Sequence, residues 1–218
     1  MSSHYSAVMF DLDGTLADTL ADITNVGNHM LSHYGLPAIE QPRYRYLAGQ
    51  GMEYLVAEAL GPDHQQHLTE AVELAKAYQL QHGMDLAQPY QGIPQLLDEL
   101  TRRKLKLAVL SNKPHPATEA MIGKLFGQWS FDAVWGKKPQ FQPKPDPTSA
   151  RAVADQLGIP VEQWLYLGDT RVDMETATAA GFCCVGVLWG FRDEPELRQS
   201  GADHIIKQPM DLIDVLDN

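Results

Sequence analysis

The sequence predicts an α/β protein, a parallel sheet covered by helices, interrupted by one all-helical insertion. Three observations lead there. From about residue 90 onward, short apolar runs alternate with segments of helical periodicity, the pattern of a sheet buried on both faces. Residues 17–86 carry helical periodicity only. Several of the apolar runs end in Asp, Ser, Asn or Lys, where an open parallel sheet gathers its ligands.

The first run, Ala7-Val8-Met9-Phe10, reads as a buried strand and ends at Asp11-Leu12-Asp13-Gly14-Thr15. Like charges about 4 Å apart repel by about 1 kcal/mol in water and about 4 kcal/mol at an effective dielectric of about 20. Two carboxylates at one strand end therefore either call for a cation or mark an ordinary strand followed by an Asp-Gly turn. Leu20, Ile23, Met30, Leu31 and Tyr34 then recur at helical spacing, and Gly35 and Pro37 stop that helix. Residues 52–60 and 65–81 read as two further helices.

Ile93, Leu96, Leu97 and Leu100 form the next helical face, with Pro94 in its first turn. A strand is expected over 105–110, ending at Ser111-Asn112-Lys113. A helix over 117–126 and a short strand over 133–135 follow. Thr148 is the expected N-cap of a helix over 149–157. Residues 164–167 read as a strand ending in Gly168-Asp169-Thr170, and 174–180 as a helix stopped by Gly181. Strands over 183–188 and 205–206 and a helix over 212–216 close the chain. Two domains are expected: 1–16 with 87–218 as the α/β core, and 17–86 as the insertion.

The 218 residues suffice for one core and a small insert. Seventeen Lys+Arg against 28 Asp+Glu give a formal charge of −11. That argues against nucleic acid or an anionic membrane as partner. A small anionic substrate stays open if a metal neutralises its site. The two cysteines, Cys183 and Cys184, are adjacent and build neither a disulfide framework nor a CxxC metal site. With no signal or membrane-length segment expected, the cytoplasm is the expected location.

Three strand ends thus carry polar side chains: Asp11 and Asp13, Ser111 and Asn112, Asp169 and Asp173. Lys144 sits nearby in sequence terms only, in Pro143-Lys144-Pro145-Asp146-Pro147. Carboxyl ends of parallel strands point one way, so these groups can meet at one edge. Phosphoryl transfer through an aspartyl-phosphate wants such a set. One carboxylate attacks phosphorus; a second, kept protonated by its like-charged neighbour, serves the leaving oxygen and later water. Further carboxylates hold Mg²⁺, while a hydroxyl and a lysine take the phosphoryl oxygens.

In order and spacing, four motifs resemble those of the haloacid dehalogenase-like superfamily, particularly its phosphoglycolate phosphatase-like members with a helical cap. They are Asp11-Leu12-Asp13-Gly14-Thr15; Ser111 at the end of its strand; Lys144 in Lys144-Pro145-Asp146-Pro147; and Gly168-Asp169-Thr170-Arg171-Val172-Asp173. The resemblance implies a Rossmann-like core with a helical cap. It implies Asp11 as nucleophile, Asp13 as acid/base, and Mg²⁺ held by Asp11, the Asp13 carbonyl and Asp169, with Asp173 nearby. Ser111 and Lys144, with backbone N–H groups near Asn112, would bind the phosphoryl group. The second Asp, lacking in true dehalogenases, favours phosphate chemistry. The implied activity is a Mg²⁺-dependent phosphatase for a small phosphorylated metabolite, phosphoglycolate first, in a monomer or homodimer. A phosphomutase and a phospho-accepting signalling module are the alternatives.

Rival readings accompany several residues. Lys137 and Lys138 compete with Lys144, whose flanking prolines favour it. Lys113 reads as a loop charge near the site. Gly49-Gln50-Gly51 is either a cap loop facing ligand or a simple turn, and Arg43 and Arg45 are either surface charges or partners for a substrate carboxylate. His29 and His33, at i and i+4, lack a third metal ligand and read as surface residues.

Overall fold

All four residues of strand β1 (Ala7–Phe10) are buried, which explains why its sequence is continuously apolar rather than alternating. The chain then runs through the two-residue strand β2 (Ala17–Asp18) into helices α1 (Leu20–His33), α2 (Gln41–Leu47), α3 (Met52–Leu60) and α4 (Leu68–His82). Strand β3 (Gln88–Pro89), paired with β2, carries it back. Next come α5 (Ile93–Arg102), β4 (Lys106–Pro114), α6 (His115–Phe126), β5 (Ala133–Lys137) and α7 (Thr148–Leu157). The last elements are β6 (Trp164–Gly168), α8 (Arg171–Ala180), β7 (Cys183–Val187), α9 (Glu194–Gln199), β8 (His204–Ile206) and α10 (Leu212–Asp217). This computed structural model describes residues 4–218. It divides into two units, one built from the chain up to Ala17 with Pro89–Asn218, the other from Asp18–Gln88.

The first unit holds a six-stranded sheet in the order β5-β4-β1-β6-β7-β8, parallel throughout. The chain builds outward on one side of β1 and then returns to its other side, so the strand order reverses beside β1. In such a sheet the crevice beyond the carboxyl ends opens at that reversal. Ala7 and Met9 of β1, Ala108 and Leu110 of β4, and Trp164 and Tyr166 of β6 face one core with α7 and α8. Their alternates Val8, Phe10, Val109, Leu165 and Leu167 have no exposure either, so both faces are covered. In α5 the buried Ile93, Leu96, Leu97 and Leu100 keep the i, i+3, i+4, i+7 stripe read from the sequence.

The helical unit packs Ile23, Val26, Met30 and Leu31 of α1 with buried residues of α2, α3 and α4. Gly27 is required where α2 crosses α1, because a Cβ there would lie 2.3 Å from the Tyr44 hydroxyl oxygen. Asn28 ties down the connection into α2: its amide oxygen accepts from Ile39 N and the Tyr44 hydroxyl, and its amide nitrogen donates to Ile39 O.

Several elements differ from the sequence expectation. Strand β4 continues through Ser111-Asn112-Lys113 to Pro114, with a register irregularity against β5 between Leu110 and Pro114. A 3-10 segment (Pro62–His67) precedes α4 and is kinked at His64, whose φ of −122° and ψ of 15° are non-helical. Helices α2 and α9 went unforeseen, being short and poor in apolar periodicity. Thr148 is not the N-cap of α7; Asp146 instead accepts both its N–H (2.9 Å) and its hydroxyl. On packing grounds, Leu97→Ala should destabilise the protein by about 2–5 kcal/mol, read from urea denaturation; a loss below about 1 kcal/mol would contradict the close packing of α5.

Candidate active site

Asp11 follows directly on β1, and its N–H donates to Leu167 O of β6 at 2.9 Å. Its carboxylate is buried, and Lys144 Nζ lies 2.9 Å from Oδ1 as an ion pair. Among the described residues no donor meets that oxygen in hydrogen-bonding geometry. Lys144 also donates to Asp173 Oδ1 (2.6 Å), the Tyr166 hydroxyl (3.0 Å) and Leu110 O (3.1 Å). Asn112 holds the lysine in place from behind: its side chain accepts from Lys144 N (2.8 Å) and donates to Lys144 O (3.0 Å).

Asp169 leaves β6 and projects between two loops that only glycine permits. A Cβ on Gly14, whose φ is +88°, would sit 2.2 Å from Asp169 Oδ2; one on Gly190 would sit 2.3 Å from Asp169 Cβ. The Asp169 carboxylate accepts from the Thr15 hydroxyl (3.0 Å) and Phe191 N (2.8 Å). Asp173 is the third residue of α8 and closes a capping box with Thr170, accepting from Thr170 N and Oγ1. With Lys144 and Tyr166 on its other oxygen, its lone pairs are filled by protein donors.

Asp11, Asp169 and Asp173 bring ligand atoms within 4.8 Å of one another, all buried. Burial pushes the Asp11 carboxyl up to about 7 against the pull of Lys144. Burial, then Asp173 and Asp11, raise Asp169 well above the carboxylate range. Burial alone would lower Lys144, yet Asp11 and Asp173 outweigh it and hold the ammonium well above the usual lysine range. With Asp13 included, four carboxylates meet two lysines, an excess of two negative charges. An all-oxygen donor set with that excess fits a hard divalent cation such as magnesium. Asp11 and Asp169 have lone pairs left to hold it, and Asp173 adds its charge.

Asp13 points to a cation of its own. Lys113, on the extended end of β4, donates from Nζ to both Asp13 oxygens at 3.0 and 3.2 Å. The reading of Lys113 as a loop charge is corrected: its side chain is 4% exposed. The charged group in hydrogen-bond contact with Asp13 is thus an ammonium. Ser111 Oγ accepts from Lys113 N at 3.2 Å. The Asn112 side chain is committed to the Lys144 main chain.

Lys138, one rival to Lys144, lies over the Trp135 ring. Arg45, Gly49, Gln50 and Gly51 belong to the helical unit. There Arg45 lines a cavity of about 300 Å³ with Gln41, Gln88 and Asp18, and Gly49 and Gly51 adopt positive φ between α2 and α3. His29 stacks on Tyr78 at 3.9 Å. No helix among the described residues is long and apolar enough to cross a membrane.

The sheet order and these strand-end groups define an α/β protein with an acidic site beyond the carboxyl ends of a parallel sheet. Residues 8–187 match the haloacid dehalogenase-like hydrolase family. The chain is 33% identical over 214 residues to the N-acetylmuramic acid 6-phosphate phosphatase of Pseudomonas aeruginosa, covering 97% of this chain and 94% of that one. It is 32% identical over 215 residues to a phosphoglycolate phosphatase of Xanthomonas campestris pv. campestris, covering 94% of each. A solved haloacid dehalogenase-like hydrolase from Streptococcus pneumoniae superposes with a TM-score of 0.89 at 26% identity, over 97% of this chain and 98% of that one. The chain belongs to the haloacid dehalogenase-like hydrolases.

From sequence, Tyr166 and Gly190 have no role at the site, Thr15 is only part of the first motif, and Lys113 reads as a loop charge near the site. Because a Cβ on Gly190 would also lie 2.4 Å from Gly14 O, Gly190→Ala should cost about 1–3 kcal/mol through backbone displacement. Gly123→Ala in α6, with open space around its Cβ, should be neutral or stabilising by up to about 1 kcal/mol. Paired denaturation curves check this, and equal effects would contradict the packing around Asp169.

Proposed function

We propose that this hydrolase is a Mg²⁺-dependent phosphatase for small phosphomonoesters, working through an aspartyl-phosphate on Asp11. The observation that carries it is the buried cluster of Asp11, Asp169 and Asp173 around one lysine, short of two positive charges. The Asp11 carboxylate attacks phosphorus, and the bond to the leaving oxygen breaks. Asp13 gives that oxygen a proton, then takes one from the water that attacks the phosphorylated Asp11. Lys144 and Ser111 hold the phosphoryl oxygens. Asp11, Asp169 and the Asp13 carbonyl would hold magnesium, which would supply the charge neutralisation for a phosphate dianion to approach a carboxylate.

The relatives named above act on phosphoglycolate and on N-acetylmuramic acid 6-phosphate, both phosphomonoesters of acids. An acid-bearing phosphomonoester is therefore the proposed substrate class, phosphoglycolate first. The helical unit is the proposed selector, with Arg45, Gly49, Gln50 and Gly51 as its residues to vary. The test is a panel of these two compounds and neutral hexose phosphates, scored for phosphate release and for isomerisation. Phosphate release from the acids over many turnovers is expected, with Asp11→Asn lowering it at least about 100-fold. Isomerisation without release, single-turnover labelling, or an active Asp11→Asn enzyme would each overturn the proposal.

A second prediction concerns pH. Asp11 titrates near 3.8 when free and about 7 when buried, so the folded state binds the extra proton between those values. Without metal, this group makes the fold less stable as pH rises from about 4 to 7, and constant above. Magnesium competes with that proton. The rise in Tm on adding Mg²⁺ to chelator-treated protein should therefore be larger at about pH 7.5 than at about pH 5. An equal or larger rise at the lower pH would contradict magnesium at Asp11.

A further inference from the structure

The proposed chemistry leaves the buried ammonium of Lys113 without a task. Lys113 projects its ammonium onto both oxygens of the Asp13 carboxylate (3.0 and 3.2 Å), with a side chain 4% exposed against 16% for Asp13. One donor group contacting both oxygens turns the head of the carboxylate toward the ammonium and holds it there. The lysine is itself held. Its N–H donates to Ser111 Oγ at 3.2 Å, and its carbonyl accepts from the Thr118 hydroxyl at 3.3 Å. Gly136 of β5 makes room for this: a Cβ there would lie 2.5 Å from Lys113 O. The irregular register of β4 between Leu110 and Pro114 thus carries a lysine past a glycine to reach Asp13. On the other side, the Asp13 backbone is tied to Ala17 by an isolated bridge. A surface lysine needs none of these arrangements, and a purely structural ion pair gains little from burial.

We propose that Lys113 is the positioning residue for proton transfer, holding the Asp13 carboxyl in the orientation from which it reaches the leaving oxygen. This rests on the reading of Asp13 as acid/base. In the first half-reaction the P–O bond to the leaving group breaks, its electron pair goes to the leaving oxygen, and the proton comes from Asp13. In the second, a water O–H proton passes to Asp13 while its oxygen bonds phosphorus and the Asp11–phosphorus link breaks. Lys113 exchanges no proton in either.

The readout is the dependence on leaving group. An alkyl phosphate such as phosphoglycolate needs its leaving oxygen protonated; p-nitrophenyl phosphate expels a phenolate that needs no acid. Comparing kcat/KM confines the measurement to steps up to phosphorylation of Asp11. Lys113→Met should lower kcat/KM about 100-fold for the best alkyl substrate and less than about 3-fold for p-nitrophenyl phosphate, general acids contributing about 10²–10⁴. Lys113→Arg should restore most of the alkyl activity. If Lys113→Met does not fold, as judged by circular dichroism, Lys113→Gln is measured in its place.

Equal losses on both substrates would mean that Lys113 serves folding or substrate binding, and unchanged values would mean that it serves neither; both overturn the proposal. Asp13→Asn is the separating control. If it shows the leaving-group asymmetry and the lysine variants do not, the Lys113 role fails and the Asp13 reading stands. If Asp13→Asn shows none, the Asp13 reading itself is wrong.

Discussion

The buried ammonium of Lys144 is the constraint on which the rest of the site depends. Within one contact radius it meets Asp11 from β1, Leu110 O from β4, Tyr166 from β6 and Asp173 from α8. Three carboxylates could not be packed together at this depth without it. Removing one member of a buried pair commonly costs about 3–5 kcal/mol, because the remaining charge is left uncompensated. The chain accordingly secures the lysine twice, through its head group and through the Asn112 amide on its main chain. A parallel sheet with β1 between β4 and β6 is what brings these four elements to one end. Any order that separated β4 from β6 by more than one strand would leave the ammonium unable to reach both sides.

A second constraint is room. Three glycines distant in sequence border the two carboxylates on the β6 side: Gly14 and Gly190 against Asp169, and Gly168 against Asp173, where a Cβ would lie 2.2 Å from Asp173 Cβ. Charge and space act together there. Side chains on these glycines would push the carboxylates apart, and the density of negative charge that suits a divalent cation would be lost.

Much of this was legible because its signals are local. The strands β1 and β6 announce themselves as apolar runs, and Asp11, Asp13 and Asp169 stand at their ends. The motif order supplied Lys144 even though 30 residues separate it from the strand it serves. What stayed hidden depends on distant approach. Lys113 looks like a loop charge because strand β4 extends past Leu110 only where Gly136 of another strand gives way. Asn112 looks like a phosphate contact until the Lys144 loop takes its amide. Tyr166 is one more aromatic core residue by pattern, and its hydroxyl becomes polar machinery only when Lys144 arrives at 3.0 Å. Helix α2 has too few apolar positions in seven residues to register as periodic.

The pairing of Asp11 and Asp13 with different lysines follows from the turn between them. In an extended strand, residues one apart in alternation would share a face and leave two carboxylates side by side. Here the strand stops at Phe10. Leu12 has no exposure, and its carbonyl accepts from Thr15 N, Leu16 N and Ala17 N. The chain therefore folds tightly around a buried leucine, and Gly14 takes the positive φ that completes the turn. That curl sends Asp11 inward to Lys144 and Asp13 toward Lys113, where the Asp13 side chain keeps 16% of its surface exposed. The two carboxylates thereby acquire distinct surroundings, one deeply buried among other acids, the other alone with a cation. Two chemically identical groups can then do different work, the buried one at phosphorus and the other on protons.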